Sequence, residues 1–331
     1  MLRNLVVVLE MIKFEHTLFA LPFAFMGMML AATGWPSWRT VGWIVVAMIG
    51  ARSAAMSFNR WADRRIDAAN PRTIDRALPA GQVSGGFVVA FTMVSCALLV
   101  LAAWQLNPLA LALSPLALLI LLGYSYTKRF TWGAHLFLGL ALSGAPLGAW
   151  IAVRGDIDTA PIILAAAVLA WVAGFDVLYA LQDLEFDRRA GLHSIPARFG
   201  ETGALWLSAA LHLTMIVFLS LLPGRYPPGL GWIYWIGVGG CIALLAYQHW
   251  IVRPGDLSRL DAAFFRANGL LSVWLLDMLN VEPGSFRVVP EALVVQTLVG
   301  GAVPVLAALG PVIGGAGITV REAFGSHGIG S

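Results

Sequence analysis

The feature that most limits what this chain can fold into is a series of nine apolar stretches, at 18–33, 41–58, 85–105, 108–126, 133–153, 160–182, 202–222, 230–251 and 262–280. Each is close to the roughly 20 residues that a helix needs to cross the hydrocarbon of a bilayer. Backbone polar groups cannot be left unpaired in lipid, so a chain of this kind has to be helical wherever it spans. Only 12% of the residues are charged and 59% are hydrophobic, against about a quarter charged in a soluble domain. There is too little polar side chain to cover a water-soluble protein of 331 residues. The expected fold is therefore all-α: a polytopic membrane bundle of about nine transmembrane helices around a central cavity.

The basic residues sort by side. With the N-terminus taken as cytoplasmic, the inside loops carry fifteen Lys and Arg, among them Arg60, Arg64, Arg65, Arg72, Arg76, Lys128 and Arg129. The outside loops carry three, Arg39, Arg154 and Arg225. This is a positive-inside distribution. It accounts for the net charge of +3 without nucleic acid as a partner. Cys96 and Cys241 lie in separate apolar runs and have neither disulfide nor metal-thiolate spacing. Residues 2–16 read as an amphipathic lead-in to the first span and not as a cleavable signal.

Two acidic clusters interrupt this pattern, both at the cytoplasmic ends of spans. Asn59, Asp63 and Asp67 follow i, i+4, i+8, which stacks two carboxylates and a carboxamide on one helical face. Asp176, Tyr179, Asp183 and Asp187 share a face in the same way. Asp63 and Asp183 are 120 residues apart, as are Asp67 and Asp187. The offset points to an internal duplication, with 18–126 as one half and 133–251 as the other. The oxygen ligands suit a hard cation such as Mg²⁺, which takes one or two carboxylates and completes its shell with water and phosphate. The competing reading of the first cluster is a solvated helix end paired with Arg60, Arg64 and Arg65. Asp176 lies about two turns deeper than Asp183, where a lone carboxylate is costly, and so requires a partner or a role.

Basic groups complete the picture. Arg72 and Arg76 follow the first cluster, and arginine forks match phosphate oxygens; they also read as ordinary inside-loop charges. Tyr124 and Lys128 are i, i+4 neighbours at the end of the fourth stretch. They are suited to gripping a diphosphate oxygen, or to anchoring at the interface. A transporter using acids for ion coupling is the alternative of a different class, since such repeats also occur there.

At these residues the chain resembles the UbiA superfamily of intramembrane aromatic prenyltransferases. Asn59, Asp63 and Asp67 meet its NxxxDxxxD pattern, Asp183 and Asp187 its DxxxD, and Tyr124 and Lys128 its YxxxK. The run at 13–22, the Asn59-Arg60 start and the run at 192–200 are similar to a subgroup of 4-hydroxybenzoate polyprenyltransferase type. The resemblance covers roughly 10–280; the remainder, 281–331, reads as an atypical C-terminal extension, open between a tenth span, a re-entrant piece and a terminal tail.

The resemblance implies an enzyme of quinone biosynthesis, in ubiquinone or menaquinone pathways, embedded in the bacterial inner membrane with its site facing the cytoplasm. It implies polyprenyl diphosphate and a small aromatic acid as substrates, 4-hydroxybenzoate foremost and a dihydroxynaphthoate as the alternative. Mg²⁺ would be held by Asn59, Asp63, Asp67, Asp183 and Asp187, and the diphosphate by Lys128, Tyr124 and Arg72. Asp176 or Tyr179 is implied near the ring-proton step. Lys13 or His16 is implied at the acceptor's carboxylate.

Overall fold

The computed structural model describes residues 2–12, 21–226, 229–257, 260 and 268–279. The described chain is helical: α1 (Leu2–Met11), α2 (Leu21–Ala32), α3 (Trp38–Ala62), α4 (Arg64–Ala69), α5 (Gly85–Leu106), α6 (Pro108–Thr127), α7 (Ala134–Arg154), α8 (Thr159–Tyr179), α9 (Leu184–Arg189), α10 (Ile195–Leu221), α11 (Trp232–Ile251) and α12 (Asn268–Leu279). A 3-10 turn, Ala180–Asp183, joins α8 to α9. Each of the nine expected spans holds a helix among the described residues, and six helices have the length and hydropathy to cross a membrane. Of the first span, expected at 18–33, the described residues hold α2, a helix of 12 residues. Residues 13–20, with Lys13 and His16, lie outside the described residues, as does the extension 281–331.

Helix starts are written in the local sequence. Ser37, Ser84, Asn107 and Ser194 each cap a helix, their side-chain oxygens accepting from the backbone N–H three residues on. Pro108 and Pro196 sit in first turns, where no intrahelical partner for their nitrogen is needed. Gly200 has φ +73 inside α10 and kinks it; only glycine adopts that backbone freely.

The core is built by close approach of small residues. Ten of the residues of α2 are buried, and they join α7, α8, α10 and α11 in one cluster with Trp150, Leu164, Trp171, Met215 and Tyr234. A Cβ on Gly27 would lie 2.1 Å from the carbonyl oxygen of Pro146, and one on Gly139 would lie 2.4 Å from that of Leu169. The glycines let α2 meet α7, and α7 meet α8, at backbone contact, the packing mode of helices that cannot rely on water to drive them together. Met93, Leu119, Leu213 and Val217 are exposed on outward faces, as lipid-facing side chains are.

Short connections make successive helices antiparallel. The ends of α3, α6 and α8 and the starts of α5, α7 and α10 therefore meet at one end of the bundle. Phe130, Trp132, Tyr247 and Trp250 are exposed near that end, and Trp38, Trp104, Trp232 and Trp235 near the other. Two aromatic belts of this kind mark the two interfaces of a bilayer. The chain is an all-α polytopic membrane bundle.

Candidate active site

Both acidic clusters occupy a break between a long helix and a six-residue one. Asp63 has φ −89 and ψ 3 and precedes α4; Asp183 has φ −102 and ψ 5 and precedes α9. Neither cluster is one continuous helix, which corrects the expectation from spacing. In the first, the break is shallow: the N–H of Asp63 still donates to the Asn59 carbonyl at 2.9 Å, and that of Asp67 to the Asp63 carbonyl at 2.8 Å. The i, i+4, i+8 alignment survives for that reason. In the second, the 3-10 turn tightens the chain, and Asp176 and Tyr179 remain on α8 while Asp183 and Asp187 lie beyond its end.

Asp63, Asp67 and Asp187 are buried and Asp183 is half-buried, and cations hold Asp63, Asp67 and Asp183. Asp63 is 3% exposed. It accepts from the Asn59 amide at 3.2 Å, and lies 3.1 Å from Lys128 Nζ and 3.1 Å from Arg129 Nη2. Asp67 takes Arg76 Nη1 at 2.8 Å. Asp183 receives both prongs of the Arg72 guanidinium, with Nε at 2.9 Å, and the Asn70 amide at 3.0 Å. The same guanidinium stands 5.7 Å from the Tyr179 ring centre. Burial works against the Arg72 charge, but the hydrogen bond and charge of Asp183 outweigh it and hold the guanidinium above its ordinary range. Asp187 is hydrogen-bonded to Ser194. Asp176, which required a partner, has one: His135 Nδ1 at 2.7 Å.

All of these but Arg129 line one cavity of about 1130 Å³. Its polar end holds both acidic clusters, with Tyr124 and Lys128. The rest is an apolar bore between α3, α6, α7 and α8, reaching Ile151 and Ile157 near the opposite end. Leu116 and Leu140 line it and are also exposed on the outside of α6 and α7, so the bore borders the lipid there. On the α8 side, Trp171 packs tilted against Phe23 at 4.8 Å and edge-on against Phe175 at 4.9 Å, giving an aromatic wall next to Asp176.

The donor set fits Mg²⁺. Asp67 Oδ2 is buried with no hydrogen-bond partner among the described residues, and the same is true of Arg60 Nε; both residues line the cavity. Among the described residues six carboxylates and five Lys or Arg line it, so an added diphosphate adds to a negative excess that a cation would offset. Among the described residues no three His, Cys, Asp or Glu converge into a closed metal cage. That suits an ion which completes its shell with substrate oxygens.

Of the residues expected from sequence, Asn59, Asp63, Asp67, Arg72, Tyr124, Lys128, Asp176, Tyr179, Asp183 and Asp187 all reach the cavity. Lys128 does so paired with Asp63 and not with Tyr124. Sequence reasoning missed Asn70, Arg129 and His135. The signal for His135 was the cost of Asp176 in an apolar span, which demands a polar neighbour on an adjacent helix.

A family model of the UbiA prenyltransferase family matches residues 20–270. A 4-hydroxybenzoate octaprenyltransferase from Vibrio campbellii is 31% identical over 255 residues, covering 76% of this chain and 88% of that protein. The apo structure of a UbiA homolog from Aeropyrum pernix K1 superposes with a TM-score of 0.72 at 32% identity, covering 86% of this chain and 98% of the other. A UbiA homolog from Archaeoglobus fulgidus, bound to DMAPP and Mg²⁺, shares the fold with a TM-score of 0.62 at 19% identity, covering 83% and 99% of the two chains. An intramembrane helix bundle, two acidic breaks opening on one apolar bore, and these matches lead to one conclusion: the chain belongs to the UbiA prenyltransferase family.

Proposed function

We propose that this chain transfers a polyprenyl group from polyprenyl diphosphate to a hydroxylated aromatic acid, 4-hydroxybenzoate, in quinone biosynthesis. The observation that carries the proposal is the single cavity that joins two acidic clusters to a long apolar bore. A molecule with a diphosphate head and a hydrocarbon tail matches both parts. The relatives support it: the Vibrio campbellii protein bears the name 4-hydroxybenzoate octaprenyltransferase. The positive-inside distribution of charge supports a bacterial inner membrane protein with the polar end of the cavity at the cytoplasm.

The tail lies in the bore, reached from the lipid beside α6 and α7. Arg72, Arg76 and Lys128 take oxygens of the diphosphate as charge-assisted donors. Asn59, Asp63, Asp67, Asp183 and Asp187 would hold Mg²⁺, which neutralises the diphosphate and improves it as a leaving group. The allylic C–O bond breaks with its electron pair going to the diphosphate. The faces of Phe23, Trp171 and Phe175 stabilise the resulting cation, and the closed helix packing keeps water from it. The acceptor's ring carbon beside the hydroxyl forms the new C–C bond, and the ring then loses a proton. Lys13 is the candidate for the acceptor's carboxylate.

The test is product identification. Protein in liposomes is given labelled geranyl diphosphate, Mg²⁺ and either 4-hydroxybenzoate or a dihydroxynaphthoate, and products are resolved by mass. Prenylated 4-hydroxybenzoate is expected. A prenylated naphthoate would move the proposal to the other acceptor, and ion flux without any prenylated ring would overturn it.

A further inference from the structure

His135 sits on the first turn of α7, 4% exposed, and belongs to none of the three sequence patterns. Its two ring nitrogens face different partners. The backbone N–H of Ile195 donates to Nε2 at 3.3 Å. A nitrogen that accepts cannot carry the proton, so the neutral ring has its hydrogen on Nδ1. That nitrogen lies 2.7 Å from Asp176 Oδ2 and donates to it. The ring orientation is therefore fixed from both sides: from α10 through Ile195, and from α8 through Asp176.

The position of Asp176 gives this arrangement a use. On α8 it follows Phe175 and precedes Tyr179, between the aromatic wall and the second acidic cluster. Its side chain is 25% exposed, and the residue lines the cavity. Unlike Asp63, Asp67 and Asp183, it has no Lys or Arg among its ion pairs in the described residues. One oxygen is occupied by His135. The other oxygen is not part of that pair, and Trp171 and Phe175 line the same cavity.

We infer that His135 is a positioning residue that holds Asp176 as the acceptor of the ring proton. The inference rests on the aromatic-acceptor reading above. After the new C–C bond forms, the ring carbon carries both the prenyl group and a hydrogen. The C–H electron pair returns to the ring and restores aromaticity. The proton passes to Asp176, whose carboxylate becomes a carboxylic acid and later releases it to water. His135 keeps its proton throughout; it orients the carboxylate and does not relay. Because C–O cleavage precedes this step, loss of the pair should separate diphosphate departure from ring substitution.

The experiment uses full-length protein in liposomes with geranyl diphosphate, Mg²⁺ and 4-hydroxybenzoate, unlabelled or deuterated on the ring. Diphosphate release and prenylated product are measured separately. His135→Leu removes both ring bonds and is expected to lower prenylated product about 10- to 100-fold, the weight of a hydrogen bond to a charged group. Diphosphate release should fall much less, with prenyl alcohol formed instead. A primary deuterium isotope effect should emerge that is absent from the wild type.

His135→Asn restores a donor near the Nδ1 position and should recover most of the lost product. Asp176→Asn, which leaves His135 in place, should show the same uncoupling and the same isotope effect, and it carries the test if His135→Leu fails to fold. Equal loss of diphosphate release and product in His135→Leu, or in Asp176→Asn where that variant carries the test, with no isotope effect, would overturn the inference and leave His135 a packing residue. Wild-type protein that releases diphosphate but never prenylates a ring would overturn the functional reading itself, and this inference with it.

Discussion

The two acidic clusters have nearly the same backbone and different neighbours. Asp63 and Asp183 share a break geometry, each before a six-residue helix, and Asp67 and Asp187 are both buried in the first turn of that helix. The helices after them begin alike, at the Ser84 and Ser194 caps. The difference lies in the connection. Residues 70–84 separate α4 from α5, whereas only 190–194 separate α9 from α10. The longer loop supplies Asn70 and Arg72 to Asp183 and Arg76 to Asp67. The two breaks thus present their acids on a like backbone, while the 70–84 loop alone supplies a brace to each cluster, at Asp67 in the first and Asp183 in the second. Among the described residues Asp63 has two cations, Lys128 and Arg129; Asp183 has one, Arg72, and is the more exposed, at 20% against 4% for the side chain.

If the two acids are equivalent, Asp63→Ala and Asp183→Ala should each cut Mg²⁺-dependent diphosphate release on the order of 10³-fold. Activity that survives one substitution and not the other would break the symmetry. The unequal bracing predicts the next effect. Arg72→Ala should weaken the binding of prenyl diphosphate about 10- to 100-fold, seen mainly in KM, while Arg129→Ala costs less than about tenfold because Lys128 remains at Asp63. Equal losses would mean that Asp183 has bracing the structure does not reveal.

The equivalent helix pairs offer a comparison in stability. A Cβ on Gly50 would meet the Leu99 backbone nitrogen at 2.9 Å, between α3 and α5; one on Gly174 would meet the His212 ring at 2.5 Å, between α8 and α10. The His212 ring is buried and hydrogen-bonded to His249 at 2.9 Å, so it gives way no more freely than the backbone does. Gly50→Ala and Gly174→Ala should each cost about 1–3 kcal/mol in thermal or denaturant unfolding, Gly174→Ala the more because its contact is the closer. The smallest effect concerns the caps. Ser84→Ala and Ser194→Ala should each cost about 1 kcal/mol of stability. Only Ser194→Ala should also lower turnover, since Ser194 holds Asp187 as well.

Some of this was legible in the sequence because the signals are local. A membrane span declares itself by length and hydropathy, and the likeness of the two acidic breaks by the 120-residue offset of Asp63 and Asp183. The helix breaks were not legible. An i, i+4, i+8 spacing is the same in an unbroken helix, and the break at Asp63 keeps the backbone hydrogen bonds that produce it. The pairings across the fold were hidden as well. Arg72 reaches Asp183 over 111 residues and His135 reaches Asp176 over 41, and neither distance has a sequence periodicity to betray it. The charge of Arg72 was visible as an inside-loop residue, but which carboxylate it faces is set by how the two halves pack.

The central claim is that the two clusters act on one diphosphate. A double-mutant cycle tests it most directly. Equilibrium binding of labelled geranyl diphosphate, with Mg²⁺, is measured for the wild type, Asp63→Ala, Asp183→Ala and the double variant. One shared site predicts that each single substitution removes most of the binding and that the double is scarcely worse than either. Losses that add as independent contributions, or binding left intact by either single substitution, would contradict it.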